Sequence, residues 1–317
     1  MIARFPLLEK QMEILVASTS SLSFKELENA HKILNLLCPV PKMNAKSCSI
    51  LPPFASMPSQ YKVASKYRLV ACSIFKNMST LLSSLMCYLH DKKMMINHTN
   101  FYMGWDSKTA CLHENNAGSL IDLVWRFGIS PTGSHKFSLV REPKEKFISG
   151  HVNQCSELNR CDSCRNTTCT LDKIDRYARD FLRSAQYEGP ETYRHHVNAH
   201  FFPQNWRCEF GSRFDEYQII RYHSEKKDEL KRDLRRVFQL SKVPEGTIQF
   251  LLAKLDEGRG MHSTVGNSKT AKIDDDLLAN PRQLRKLVSI FYFDYLIFQY
   301  ALPKLTHLVN TNEFLAQ

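Results

Sequence analysis

From Tyr67 onward, short apolar runs alternate with amphipathic stretches, the pattern of an α/β protein. The run from Tyr67 to Ile74 (YRLVACSI) is short and partly β-branched, as expected of a buried parallel strand. Polar Lys76 to Thr80 interrupts it, and Leu81, Leu82, Leu85, Met86 and Leu89 then recur at helical spacing. Strand, loop and helix follow one another directly. His135 to Val140 reads as another strand, leading at once into Arg141-Glu142-Pro143 and a helix, and Tyr217 to Tyr222 reads as a third. Met94 to Ile96 is a candidate short strand.

Helix boundaries carry their own signals. Ser23-Phe24-Lys25-Glu26 is a capping box that predicts a helix to about Leu37. A further helix is predicted over Ala117 to Phe127, with Gly128 placed to stop it. Leu171 to Tyr187 has Ile174, Tyr177, Phe181 and Leu182 on one face and Asp172 as its cap. Glu225 to Leu240 is charged and amphipathic, with Ser224 as its cap, and Asn280-Pro281 opens an aromatic-rich last helix through Tyr300. Residues 1–60 read as a peripheral helix and a Pro-, Ser- and Met-containing linker, and residues 61–317 as the main domain.

Composition narrows the class. The 317 residues are 43% hydrophobic, enough for a full core, and no run approaches the ~20 apolar residues of a membrane span. Arg4, Glu9, Lys10 and Glu13 interrupt the N-terminal apolar residues, so no signal peptide or anchor is legible there. The chain either works without one, or membrane anchoring belongs to a segment upstream of this sequence. Net charge is +11, which suits a partner rich in phosphate, sulfate or carboxylate. No zinc-finger spacing, recognition helix or basic-aromatic interleaving points to nucleic acid.

Ten cysteines are many for a reduced compartment, and Cys155, Cys161, Cys164 and Cys169 crowd into one stretch. Their spacing fits no common zinc pattern. Asn166-Thr167-Thr168 lies among them as an N-glycosylation sequon, and Asn97-His98-Thr99 is a second. Together these favour a disulfide-braced loop in an oxidising lumen over zinc or free thiols.

Two strand-end segments hold the candidate chemistry. Lys76, Asn77, Met78, Ser79 and Thr80 join a strand to a helix, where backbone N–H groups and the helix dipole attract anions. The segment is not the G-x-x-x-x-G-K-[ST] loop of nucleotide triphosphatases, which argues against a kinase. Arg141 leaves a later strand at the carboxyl edge of the expected sheet, where its guanidinium can grip a phosphate, and Ser149 follows about two helical turns on.

Lys-x-x-[Ser/Thr] after one strand and Arg-x-Pro-x-x-[Lys/Arg]-x-x-Ser after a later one resemble the nucleotide-binding elements of sulfotransferases that use 3′-phosphoadenosine 5′-phosphosulfate (PAPS). The closest resemblance is to Golgi carbohydrate sulfotransferases of the HNK-1 and chondroitin/dermatan type. Cys72 to Thr80 stands in the register of their first element, with Phe75 replacing its proline and Met78 its glycine. His200-Phe201-Phe202-Pro203-Gln204-Asn205-Trp206-Arg207-Cys208 is similar to their His-Trp-x-Pro…Cys segment. Phe291 to Tyr300 is similar to their closing Tyr-x-x-Asp-[aromatic]-x-x-Phe-x-Tyr helix.

The resemblance implies a P-loop-like sulfotransferase fold, a short central parallel sheet flanked by helices, and a Golgi location. It implies PAPS as donor with no metal, and an acidic glycan acceptor, not nucleic acid, with a chondroitin-type glycosaminoglycan first. Lys76 to Thr80 would hold the 5′-phosphosulfate, and Arg141 with Ser149 the 3′-phosphate. Lys76 would also neutralise charge during transfer, and a histidine would take the acceptor proton. His200 is the first choice because it falls in the matching segment, and His113 is the second. His195 and His196 are explained by solvent exposure, and His262 is weaker still. The Met78 departure keeps open a different class, a non-catalytic polyanion- or glycan-binding protein on a degenerate scaffold.

Overall fold

In a computed structural model, residues 9–39, 48–95, 101, 111, 114–183, 197, 199–223, 225–257 and 268–309 are described. Helices of two turns or more are numbered along the chain. The first half runs α1 (Glu9–Ser20), α2 (Phe24–Leu37), β1 (Tyr61–Ala64), β2 (Leu69–Cys72), α3 (Ser79–His90), β3 (Asn116–Ala117), α4 (Leu120–Phe127), β4 (His135–Arg141) and α5 (Pro143–Gly150). It continues through α6 (Thr167–Arg183), β5 (Tyr217–Tyr222), α7 (Lys227–Leu240), α8 (Glu245–Lys254), α9 (Ser268–Leu278) and α10 (Pro281–Ile297).

The chain divides into two compact units. One comprises residues 56–142 and 207–263, the other residues 1–55, 143–206 and 264–317. The first holds a five-stranded sheet in the order β3-β1-β2-β4-β5. β2, β4 and β5 are parallel, with Leu69 opposite His135 and Lys136 opposite Tyr217, while β1 is antiparallel to both β2 and β3. This is the expected α/β sheet flanked by helices, with an antiparallel edge added. β1 was not expected. Its sequence, YKVA, is only four residues long and buried throughout, so no alternation marks it. The core of this unit gathers Leu82, Leu85 and Met86 of α3 with Phe137 and Leu139 of β4 and Leu234 and Phe238 of α7.

In the other unit, α10 is almost wholly buried, from Leu287 through Ile297. Tyr292 donates its hydroxyl to Ala30 O at 2.9 Å, tying α2 to α10; in the same unit Phe181 stacks on Trp206, which meets Phe202 edge-on. Ser23 and Glu26 form the expected capping box, and Asn280 caps α10 over Pro281.

Several boundaries differ from expectation. Met94 and Met95 lie in a single helical turn, not a strand, and Ile96 is outside the described residues. α4 starts at Leu120, because Ser119 and Asp122 make a capping box there, and Ala117 instead joins the sheet. Gly128 ends α4 at φ 62°, as expected. α6 begins at Thr167, so Asp172 lies inside the helix and pairs with Lys286 at 3.7 Å. α7 begins at Lys227, and Ser224 is outside the described residues. α10 stops at Ile297, before the left-handed Gln299.

All ten cysteines are paired, as Cys38–Cys48, Cys72–Cys208, Cys87–Cys111, Cys155–Cys161 and Cys164–Cys169. The clustered four thus brace one loop by two short bridges. Among the described residues no helix is long and apolar enough to cross a membrane.

Candidate active site

β2 delivers the chain to a tight turn at the carboxyl edge of the sheet. The Asn77 N–H donates to Ile74 O at 3.2 Å, and the turn places Lys76 at φ 70° and Met78 at φ 58°. Both are left-handed, a conformation costing an L-residue roughly 1–2 kcal/mol. At Met78 that cost falls where the resemblance implies a glycine. Met78 is half-buried and packs against the core beneath α3, so apolar contact offsets part of the strain.

Contacts with β4 help to hold the turn. Asn77, fully buried, donates Nδ2 to Leu139 O at 2.9 Å, joining the turn to β4. Arg141, at the end of β4, donates Nη1 to Lys76 O at 3.3 Å. The Arg141 guanidinium also lies 5.4 Å from the Tyr222 ring centroid at the end of β5. Lys76 and Arg141, brought from separate strands, therefore meet at one edge.

α3 begins at Ser79 with no side-chain cap. Leu82 is the first to return an N–H to the turn, donating to Met78 O at 2.9 Å. The N–H groups ahead of it stand at the positive end of a twelve-residue helix, beside the Lys76 turn. Cys72, last residue of β2, is bridged to Cys208, whose N–H donates to Ser59 Oγ at 2.7 Å. The strand that carries the turn is thereby locked at its exit. Such an arrangement suits a small, multiply charged phosphate or sulfate ester.

Ser149 and His200 belong to the other unit. Ser149 is buried near the end of α5, and the chain then passes into a π-helical turn, His151–Glu157. Three residues before Ser149, buried Lys146 donates Nζ to His200 O at 3.0 Å and to Phe202 O at 3.2 Å. Asp294 of α10 holds the same segment from its far end. It accepts the N–H groups of Gln204 at 2.8 Å and Asn205 at 2.9 Å, and Asn205 Nδ2 at 2.6 Å. Burial raises the Asp294 carboxyl above its usual range, against the pull of those donors and of the Lys146 charge. A buried ammonium and a buried carboxylate thus grip the backbone on either side of Pro203. His200 is partly exposed. His113, His195, His196, His262 and the Asn97 sequon lie outside the described residues.

Three features escape the sequence reading: the Lys146–Asp294 grip, the Cys72–Cys208 bridge and the Tyr222 ring against Arg141. A signal existed for the first, since Asp294 is the one acidic residue in the helix Pro281–Ile297. An acid in so apolar a helix implies buried donors. The other two join positions distant in sequence, which no local pattern marks.

Comparison with known proteins agrees with this geometry. Residues 59–301 match the model of the Sulfotransferase family. The chain is 30% identical to carbohydrate sulfotransferase chst-1 of Caenorhabditis elegans over 285 residues, covering 86% of this chain and 84% of that one. It is 28% identical to the uncharacterized protein C18B2.2 of the same organism over 263 residues, covering 80% and 72%. No solved structure matches. A match across most of the chain, enclosing the turn, Arg141 and α10, shows that the chain belongs to the Sulfotransferase family.

Proposed function

We propose that this sulfotransferase moves a sulfuryl group from PAPS to a hydroxyl of a glycan, a chondroitin-type glycosaminoglycan first, within the Golgi lumen. The observation that carries the reading is the meeting of the Lys76 turn, the α3 N-terminus and Arg141 at the ends of β2 and β4. The relative chst-1 bears the name carbohydrate sulfotransferase, which supports a glycan acceptor. The net charge of +11 suits an acidic one. Sulfotransfer is assigned to residues 61–317, with residues 1–60 peripheral to it.

The residues at the edge fit the donor: a lysine, a helix N-terminus and a guanidinium beside an aromatic ring match two separated anionic groups. PAPS supplies an electrophilic sulfur with a phosphate as leaving group. Lys76 and the N–H groups around Met78, Ser79 and Thr80 neutralise charge on the transferring and leaving oxygens. Arg141 and Ser149 hold the 3′-phosphate, which fixes the donor in line for displacement. His200 takes the proton of the acceptor hydroxyl, with His113 the second candidate.

The test is incubation of the purified chain with radiolabelled PAPS and a panel of desulfated glycosaminoglycans. Label is expected in the chondroitin-type acceptor, and Lys76→Ala or Arg141→Ala should lower turnover about a hundredfold or more. His200→Ala should abolish the acidic limb of the kcat profile while leaving PAPS binding intact. Glycan binding with no turnover and no PAPS binding would identify a binding protein on the same scaffold.

A further inference from the structure

The loop braced by Cys155–Cys161 and Cys164–Cys169 takes no part in the sulfotransfer reading, yet it presents one side chain in a specific way. Asn166 is exposed, while its neighbours Cys164 and Thr167 are buried. Asn166 is the N-cap of α6: its Oδ1 accepts the Cys169 N–H at 2.8 Å, and its backbone carbonyl accepts the Thr170 N–H at 3.1 Å. The cap bond uses Oδ1 alone, so Nδ2 of this exposed residue takes no part in it. Thr168, two residues on, is partly exposed, and its hydroxyl accepts from Gln283 Nε2 at 2.8 Å.

We propose that Asn166 carries an N-linked oligosaccharide. The sequon Asn166-Thr167-Thr168 supplies recognition. Five disulfides with no cysteine left over place the folded chain in an oxidising compartment, where such transfer takes place. In the transfer, Asn166 Nδ2 forms a bond to the anomeric carbon of an oligosaccharide carried on a lipid diphosphate. The anomeric carbon–oxygen bond breaks, the lipid diphosphate leaves with its electron pair, and Nδ2 gives up one proton. Oδ1 is untouched, so the glycosylated residue still caps α6. The folded loop therefore accommodates the modification without losing a hydrogen bond, which is the structural condition a sequon by itself does not guarantee.

The experiment expresses the full chain in insect cells behind a cleavable secretion leader, beside Asn97→Gln, Asn166→Asp, Thr168→Ser and Thr168→Val variants. Glycans are released by an amidase in heavy-oxygen water, and the peptide containing residue 166 is read by mass spectrometry. Heavy-oxygen aspartate at position 166 is expected in the parent, in Asn97→Gln and in Thr168→Ser, and none in Thr168→Val. Asn166→Asp retains a good cap, so it should be secreted, melt near the parent and lack the mobility shift that the amidase removes from Asn97→Gln. A wholly unmodified residue 166 in secreted, disulfide-bonded protein would overturn the proposal. Sulfotransfer activity is read separately on the same preparations, so either idea can fail alone.

Discussion

Met78 shows how one residue can be wrong for its backbone and right for its place. At φ 58° it occupies a conformation suited to glycine, while its side chain packs on the core of the sheet unit. Met78→Gly should exchange about 1 kcal/mol of relieved strain for a similar loss of packing, leaving the melting temperature nearly unchanged. Met78→Ile keeps the apolar bulk but puts a β-branched residue in the left-handed region, which such residues very rarely adopt. It should melt lower by about 1–2 kcal/mol and bind PAPS more weakly, as followed by thermal denaturation with and without adenosine 3′,5′-bisphosphate. Equal melting of the two variants would show that the turn's backbone is not what limits this position.

Among the elements, α5 and α10 act as a pair through Lys146 and Asp294. Removing one charge of a buried set leaves the other uncompensated, at a cost of about 3–5 kcal/mol. Lys146→Met should therefore destabilise by that order in urea titration. Asp294→Asn keeps the shape, but it puts an amide N–H against the Gln204 or Asn205 N–H, so it should also destabilise measurably. His151, where α5 passes into the π-helical turn, makes its unit sensitive to acid. Burial lowers its pKa from 6.5 to about 4, and its Nδ1 lies 3.0 Å from Thr170 Oγ1. The unfolded chain therefore binds a proton that the folded chain refuses, so the stabilisation is whole above pH 6.5 and is lost as pH falls toward 4. About 2–4 kcal/mol should disappear across that window, and His151→Gln should flatten the dependence in pH-resolved melts. The parallel strands and capped helices were legible because each is announced locally, by YRLVACSI, HKFSLV, YQIIRY, Ser23 with Glu26 and Asn280-Pro281. The short strand β1, the grip on the His200 segment and the Cys72–Cys208 bridge were not, because each depends on partners brought together only by folding. The site was half legible for the same reason: Lys76 and Arg141 are motif residues, whereas the contacts that lock them come from Leu139, Tyr222 and Cys208.

At the scale of the whole molecule, charge and covalent bracing dominate. With a net charge of +11, capture of an acidic polysaccharide should weaken as the screening length falls from about 30 Å to about 8 Å between 0.01 and 0.15 M salt. KM for a chondroitin-type acceptor should rise severalfold over that range while KM for a neutral oligosaccharide hardly moves. An identical salt response for both would exclude long-range steering. The Cys72–Cys208 bridge closes 136 residues, which in a chain-entropy model contributes about 5 kcal/mol, so a Cys72→Ala/Cys208→Ala double variant should unfold at markedly lower urea.

The two units are threaded through each other along the chain: one needs residues 207–263 for completion and the other needs residues 264–317. A ribosome releasing this chain must reach residue 263 before it can hand over either half complete. Cys155 and Cys161, six apart, and Cys164 and Cys169, five apart, can close as soon as they emerge, but Cys72 has no native partner until Cys208 arrives. Until then, Cys87, 15 residues on, and Cys48, 24 residues back, are the nearest wrong partners for its thiol along the chain. Correct maturation should depend on disulfide isomerisation late in synthesis, and pulse-labelled chains halted before residue 208 should carry scrambled bridges at Cys72.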